Sequence, residues 1–276
     1  MAYRFAGGVT GDGLSVLSGL SALEVPAGAV SLALWVRRNG SQDQFDRIAN
    51  KEYDNASSSP FVSYGLEFST SNNVLFEVGT SGTLSTTSVV ALADATWTHF
   101  CGTFDRTLST RLILYKNGAS SGSATGVDAN IVYSGTGNQF NVGTRYATGN
   151  NSQIDVAEIA IWDVALSAAE AAALGAGYSP ALIRPGSCIF YVPAIRSAID
   201  VVGGLPITVG GTTPAAPVEH PRIIMPRRRM AGTFAGTSPP PPPPPSGKIF
   251  RPANYNGLGG GGPFFADPLA EFPEVR

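Results

Sequence analysis

Trp97-Thr98-His99-Phe100-Cys101-Gly102-Thr103-Phe104, followed by Leu112-Ile113-Leu114-Tyr115-Lys116-Asn117-Gly118, decides the fold. In both runs inward and outward positions alternate with period two, the mark of a strand with one buried and one wet face. Asn117-Gly118 then supplies the positive φ angles that a tight hairpin needs, and another short run follows it. The stretch predicts neighbouring antiparallel strands that turn back at residue 118.

Working outward, the alternation recurs. Ser31–Arg37 sets Leu32, Leu34 and Val36 on one face; Phe61–Phe68 sets Val62, Tyr64, Leu66 and Phe68 together; Asn73–Gly79 does so with Val74, Phe76 and Val78. Gln139–Gly143, Gln153–Trp162, Cys188–Val192 and Leu205–Val209 complete the set, and Asn39-Gly40 predicts a second hairpin after the Trp35 strand. Many short strands with turn signals between them predict an antiparallel sandwich or barrel. One helix is expected: Ser167 and Glu170 form a capping box ahead of Ala168–Leu174, and Gly175 or Gly177 ends it.

Of 276 residues, 43% are hydrophobic and 14% charged, which suits turn-linked strands better than solvated helices. Residues 1–221 carry 11 Lys/Arg against 17 Asp/Glu, a balance of −6; residues 222–276 carry 7 against 3, a balance of +4. The overall charge of −2 gives no electrostatic case for nucleic acid. No stretch approaches the roughly 20 apolar residues of a membrane span. The N-terminus lacks the apolar run of a signal peptide, which predicts synthesis in a cytoplasm. Cys101 and Cys188 sit in apolar runs and are expected as buried thiols, a single bridge being the alternative.

Beyond residue 213 the pattern changes. Pro214, Pro217, Pro221 and Pro226 break any central strand. Arg227, Arg228 and Arg229 follow, then the unbroken run Pro239–Pro245, which favours a stiff polyproline II rod. Phe250, Tyr255, Phe264, Phe265 and Phe272 lie beyond, around the flexible patch at Gly259–Gly262. Aromatics are costly to leave in water, so this segment predicts a partner-binding arm, with a disordered tail as the bland alternative. The expected organisation is a sandwich over 1–213, a basic connector over 214–238 and an arm over 239–276.

Val30–Arg38, Trp97–Phe104 with Leu112–Gly118, and Ile154–Trp162 with Ala165–Glu170 together resemble the laminin-G-like, concanavalin A-type domains. The resemblance covers residues 1–213. It implies an all-β, two-sheet antiparallel jelly-roll sandwich with one short helix, to which the Pro/Gly-rich C-terminal arm is appended. Such domains occur in carbohydrate-binding modules, adhesins and phage virion proteins, and fold does not choose among them.

Related laminarinase-type glycosidases carry Glu-x-Asp-x-x-Glu on one strand, and Gln153-Ile154-Asp155-Val156-Ala157-Glu158 imitates that spacing. Gln153 stands at the nucleophile position and cannot attack as a carboxylate, so no catalytic residues are expected. Asp155 is expected to order a neighbouring loop and Glu158 to sit on a solvent face. The resemblance also implies that Ca²⁺ could be held by Asp12 and Asp155, ordinary turn roles being the alternative. Tyr53, Tyr146 and Asn150, in polar loop-like segments beside Asn55 and Asn151, are the candidate carbohydrate-binding residues. His99 and His220 have no partner at zinc spacing.

The leaderless domain and its basic arm lead to a non-enzymatic structural protein of a phage-like virion: a capsid decoration, head-fibre or tail-associated subunit. The expected partners are capsid or tail proteins, met as a homo-oligomer or in many copies, with host surface glycans besides. A carbohydrate-binding adhesin or lectin module is the alternative, and a laminarinase-like glycosidase the third.

Overall fold

The computed structural model describes residues 2–7, 12–25, 28–54, 58–69, 72–81, 83–126, 128–134, 138–145, 151–195, 198–211 and 218–225. The chain divides into a compact unit, Met1–Arg227, and a second unit, Arg228–Arg276. The second unit lies wholly outside the described residues, as do Arg227–Arg229 and the arm aromatics Phe250, Tyr255, Phe264, Phe265 and Phe272.

The described strands form a two-sheet antiparallel jelly-roll sandwich. The first sheet joins β1 (Tyr3–Phe5), β13 (Ile154–Trp162), β3 (Ala29–Arg38), β9 (Thr98–Asp105), β10 (Leu112–Lys116) and β11 (Ala119–Ala124), with β14 (Cys188–Val192) also on β13. The second runs β15 (Ile207–Val209), β2 (Leu14–Val16), β12 (Phe140–Val142), β4 (Arg47–Glu52), β5 (Val62–Phe68), β6 (Asn73–Thr80), β7 (Thr83–Thr86), with β8 (Val90–Ala91) on β6. The alternating residues meet between the sheets: Leu32, Leu34 and Val36 face Tyr64, Leu66, Phe68 and Phe76 in one buried cluster with Phe100 and Phe104. Gly102 is needed at this seam, because a Cβ there would lie 2.2 Å from the Phe76 ring.

Asn117 and Gly118, at φ 49° and 82°, turn β10 into β11 as expected. Asn39-Gly40 makes no such hairpin. Asn39 instead donates to the Asp155 carboxylate, and a Cβ at Gly40 would fall 1.9 Å from Gln153 Oε1, so glycine serves close approach there. The helix α1 (Ala168–Gly175) carries the expected capping box: Ser167 Oγ accepts from the Glu170 amide, and the Glu170 carboxylate accepts from the Ser167 amide at 2.8 Å. Its apolar side packs with Leu166, Ala171 and Leu174 over the outer face of the first sheet, against Ala33, Cys101, Tyr115 and Trp162. Cys101 and Cys188 are buried and unbridged; burial pushes their thiols up to about 12 and about 11.

β13 changes neighbour midway. β1 pairs with its first half at 154–156 and β14 with its second half at 159–162. Glu158, at φ 55°, occupies the break, and the register with β3 skips from Ala157 to Ala160. Sequence alone closes the sandwich at 213, but residues 218–225 also lie on it, through an Ala2–Val218 bridge and a Tyr178–Ile224 bridge.

Candidate functional site

The outer face of the second sheet holds a cleft of about 260 Å³, lined by Phe45, Arg47, Phe61, Glu67, Glu77, Leu84 and Arg145. Alternation builds its floor. Leu66, Phe68, Phe76 and Val78 take the core side of β5 and β6, which sends Glu67 and Glu77 outward. Arg47 stands opposite Glu67 in register on β4. Its guanidinium donates to Glu77 Oε1 at 2.6 Å and contacts the Glu67 carboxylate. All three side chains are no more than 5% exposed. Burial pushes the Glu77 carboxyl up, against the pull of Arg47 and Arg145. Burial lowers the Arg145 pKa, and nearby Arg47 adds to that. Two cations and two carboxylates thus share one partly desolvated floor, offering donors and acceptors side by side.

Two phenyl rings flank the floor. Phe45 is 47% exposed and Phe61 39% exposed, although both line a cleft. Both also adopt left-handed backbone, φ 72° and 67°, a region that non-glycine residues rarely enter. Each is held there by a backbone bond: the Phe45 amide donates to the Phe68 carbonyl at the end of β5 at 2.7 Å, and the Phe61 amide to the Ser58 carbonyl within its own turn at 2.7 Å. Strained residues of this kind concentrate at binding and catalytic sites. On the third side stands Arg145, which follows β12. Nearby, Ser152 Oγ donates to the Arg47 carbonyl at 2.6 Å and Thr144 Oγ1 to Asn151 Oδ1 at 2.6 Å.

Beside the cleft, a polar row crosses the same face: Ser15, Asn141, Asn50, Gly65 and Glu77 stand opposite one another in successive strands. Ser15 donates to Asn141 Oδ1 at 2.8 Å. Neither amide atom of Asn50, nor the amide nitrogen of Asn141, has a hydrogen-bond partner among the described residues, and both side chains are buried. A second cleft, of about 330 Å³, borders Ser179, Tyr191, Ile195, Ile199, Val201 and Met225. Its rim is aliphatic and offers few groups to orient a polar ligand.

The residues named from sequence fall as follows. Tyr53 is half-buried, its amide bonded to the Phe61 carbonyl at 3.1 Å, and it is not among the residues lining the cleft. Tyr146 and Asn150 lie outside the described residues, between Arg145 and Asn151. Asp155 accepts from Arg4 at 2.7 Å, Arg37 at 2.8 Å and Asn39 at 3.0 Å. Burial alone would raise its pKa, but these bonds outweigh it and hold the carboxyl below its ordinary value. Asp12 accepts from the Ala6 amide at 2.8 Å and packs against Gly211. Asp155 thus joins β1 and β3 to β13 and also holds Asn39, while Asp12 ties the ends of two loops; no cluster of three or more His, Cys, Asp or Glu suited to a metal ion occurs among the described residues.

Glu158 corrects the expectation of a solvent face. It is 2% exposed, its Oε2 accepts from Tyr191 Oη at 2.6 Å, and its Oε1 stands 3.3 Å from His220 Nε2. The bulge at φ 55° rotates it out of strict alternation and beneath the 218–225 segment. Sequence missed Phe45, Arg47, Phe61, Glu67, Glu77, Leu84 and Arg145 as a site. The available signal was β4 itself, Arg47-Ile48-Ala49-Asn50-Lys51-Glu52, a run too charged to read as a buried strand, yet buried throughout.

Residues 10–172 match the family described as the concanavalin A-like lectin/glucanases superfamily. No curated protein sequence matches the chain. Among solved structures, a candidate carbohydrate-binding protein from Bacteroides ovatus aligns at 14% identity with a TM-score of 0.52, over 78% of this chain and 61% of its own. Domain 4 of AbnA, an extracellular arabinanase from Geobacillus stearothermophilus solved with arabinotriose, aligns at 18% identity and TM-score 0.41, over 56% of this chain and 69% of its own. The SAP-like pentraxin of Limulus polyphemus gives 13% identity and 0.43, over 63% and 81%. At these identities the first likeness speaks to fold alone, and the fold, the motif order and the matched span agree: the chain belongs to the concanavalin A-like lectin/glucanases superfamily.

Proposed function

We propose that the chain binds carbohydrate, without cleaving it, in the Phe45–Phe61 cleft. The observation that carries this is the pairing of two exposed, conformationally strained phenyl rings with a buried Arg47–Glu67–Glu77 floor. A pyranose presents apolar C–H faces to aromatic rings and hydroxyls that both donate and accept. Rings at the rim and mixed charges on the floor match those two demands. The Bacteroides ovatus likeness is consistent with this class of ligand. A binding role also suits Gln153, a neutral amide where the glycosidases place a nucleophile, and Glu158, which is engaged by Tyr191 and His220. A glycan array with the full chain, followed by titration calorimetry on any hit, tests the proposal. Expected is binding that Phe45→Ala and Phe61→Ala both weaken; no hit, or hits indifferent to both changes, would overturn it.

The setting we propose is a virion, with the sandwich projecting and the C-terminal residues anchoring it to capsid or tail proteins in many copies. What supports this is composition: the basic, proline-rich stretch and the aromatics from Phe250 to Phe272 follow directly on a segment fastened to the sandwich. Replacing Phe264 and Phe265 by alanine should abolish incorporation into particles without unfolding the sandwich. Normal incorporation of that variant sinks the anchoring role.

A further inference from the structure

The segment 218–225 crosses the outer face of the first sheet as a strap. The Ala2 amide donates to the Val218 carbonyl at 3.0 Å, Trp97 Nε1 to the Glu219 carbonyl at 3.1 Å, the Ile224 amide to the Gly177 carbonyl at 2.7 Å, and the Ser179 amide to the Ile224 carbonyl at 3.0 Å. Gly177, at φ 92°, lets the strap approach: a Cβ there would meet the Arg222 carbonyl at 2.8 Å. At the middle of the strap sits His220. Its Nδ1 lies 2.8 Å from the Pro221 carbonyl and its Nε2 lies 3.0 Å from the Pro193 carbonyl. A carbonyl oxygen only accepts, so both ring nitrogens are called on to donate, which only the doubly protonated ring can do.

We propose that His220 is a pH-operated clasp, holding the 218–225 strap on the sandwich while its imidazole carries both protons and freeing it when one is lost. The groups around the ring agree with this. From β13 the Glu158 carboxylate stands 3.3 Å from Nε2, an added attraction for a cation. From β14 the Tyr191 hydroxyl bonds to the other Glu158 oxygen and to Ser179 Oγ, which keeps that carboxylate in place. Just ahead of β9, Trp97 holds the Glu219 carbonyl with the Arg37 guanidinium 5.0 Å over its ring. Glu219 and Arg222, the other charged side chains of the strap, are exposed. Burial alone would lower the His220 pKa; Glu158 and the two carbonyls outweigh it, and the net shift is upward from 6.5. For a histidine raised in the folded state, the stabilisation is fully present below 6.5 and is lost as pH rises through the raised value.

Release has a mechanical consequence. Eight residues of strap become tether, up to roughly 26 Å of added reach for the chain beyond Met225. The clasp thus sets how closely the C-terminal residues are tethered to the sandwich, tight in acid and loose in base. This holds whatever ligand the cleft takes.

Two measurements on the full chain decide it. In an NMR titration the His220 ring should change protonation with a midpoint above 6.5; a midpoint at or below 6.5 overturns the clasp. Hydrogen exchange of the Ile224 and Ser179 amides, corrected for the intrinsic pH dependence of exchange, should be at least about tenfold more protected at pH 5.5 than at pH 8.5, the scale of a hydrogen bond to a charged group. His220→Gln, neutral at both pH values, should abolish that step while core amides in β3 and β9 stay protected. A step that survives in this variant also overturns the proposal.

Discussion

Phe45 and Phe61 each keep a backbone conformation, φ 72° and 67°, that costs a non-glycine residue about 1–3 kcal/mol. Neither gains much by burial in return, since both rings remain substantially exposed. Folding alone gives no reason to keep a phenyl ring at either position. Phe45→Gly separates the two roles: it relieves the left-handed strain and removes the ring. Its melting temperature should equal or exceed that of the parent, while glycan affinity should fall about tenfold, as when a ring central to an interface is lost. Scanning fluorimetry and calorimetry on the same sample read both; a variant that melts lower and binds unchanged would make Phe45 structural. Arg47 behaves oppositely. It is the cation between two buried carboxylates, and Arg47→Met strands both, costing about 3–5 kcal/mol in urea unfolding. Adding Glu67→Gln and Glu77→Gln should restore part of that loss, because neutral amides tolerate a dry floor. No recovery in the triple variant would place the cost in Arg47's packing rather than its charge.

Among the elements, those whose own pattern matches their environment were legible in sequence. β3, β5, β6 and β9 each alternate cleanly because one face of each meets the apolar core between the sheets, and Asn117-Gly118 carries its turn geometry in its residue types. The capping box was legible because Ser167 and Glu170 are three residues apart, so no tertiary contact is needed to form it. β4 was not, since its Arg47, Asn50, Lys51 and Glu52 are satisfied or enclosed only by strands and loops distant in sequence. The candidate site rests on that strand and was therefore hidden with it; Tyr53, named from sequence, is joined to Phe61 by a backbone bond but is not among the residues lining the cleft. Glu158 was misplaced for a related reason: a bulge shifts the face of every later residue, and period two carries no mark of where it falls. For α1, Ser167→Ala should cost about 1 kcal/mol. Gly175→Ala should cost more, because its Cβ would lie 2.3 Å from the Gly118 amide nitrogen, backbone that cannot swing away. Equal losses on thermal unfolding would mean the helix end is free to move off the hairpin.

At the scale of the molecule, the boundary of the sandwich is a physical question about the strap. Four prolines from Pro214 to Pro226 mark the region as unable to join a sheet, and in the structure residues 218–225 make bridges and side-chain contacts instead of ladder pairs. Those contacts span the first sheet from Ala2 to Gly177 and cover Glu158, which would otherwise lose its cationic neighbour. Chains ending at 213 and at 227 should therefore differ. Taking roughly 2 kcal/mol net for the strap, the longer chain should melt about 4–8 °C higher at pH 5.5. The gap should narrow as pH rises towards 8.5, as His220 gives up its second proton and one of its two carbonyl contacts is no longer served. If the two chains melt together at both values, the strap contributes nothing to the fold and the sandwich ends where the prolines begin. A gap that stays constant with pH would keep the strap as structure but assign its hold to Trp97, Gly177 and Ser179 rather than to the charge on His220.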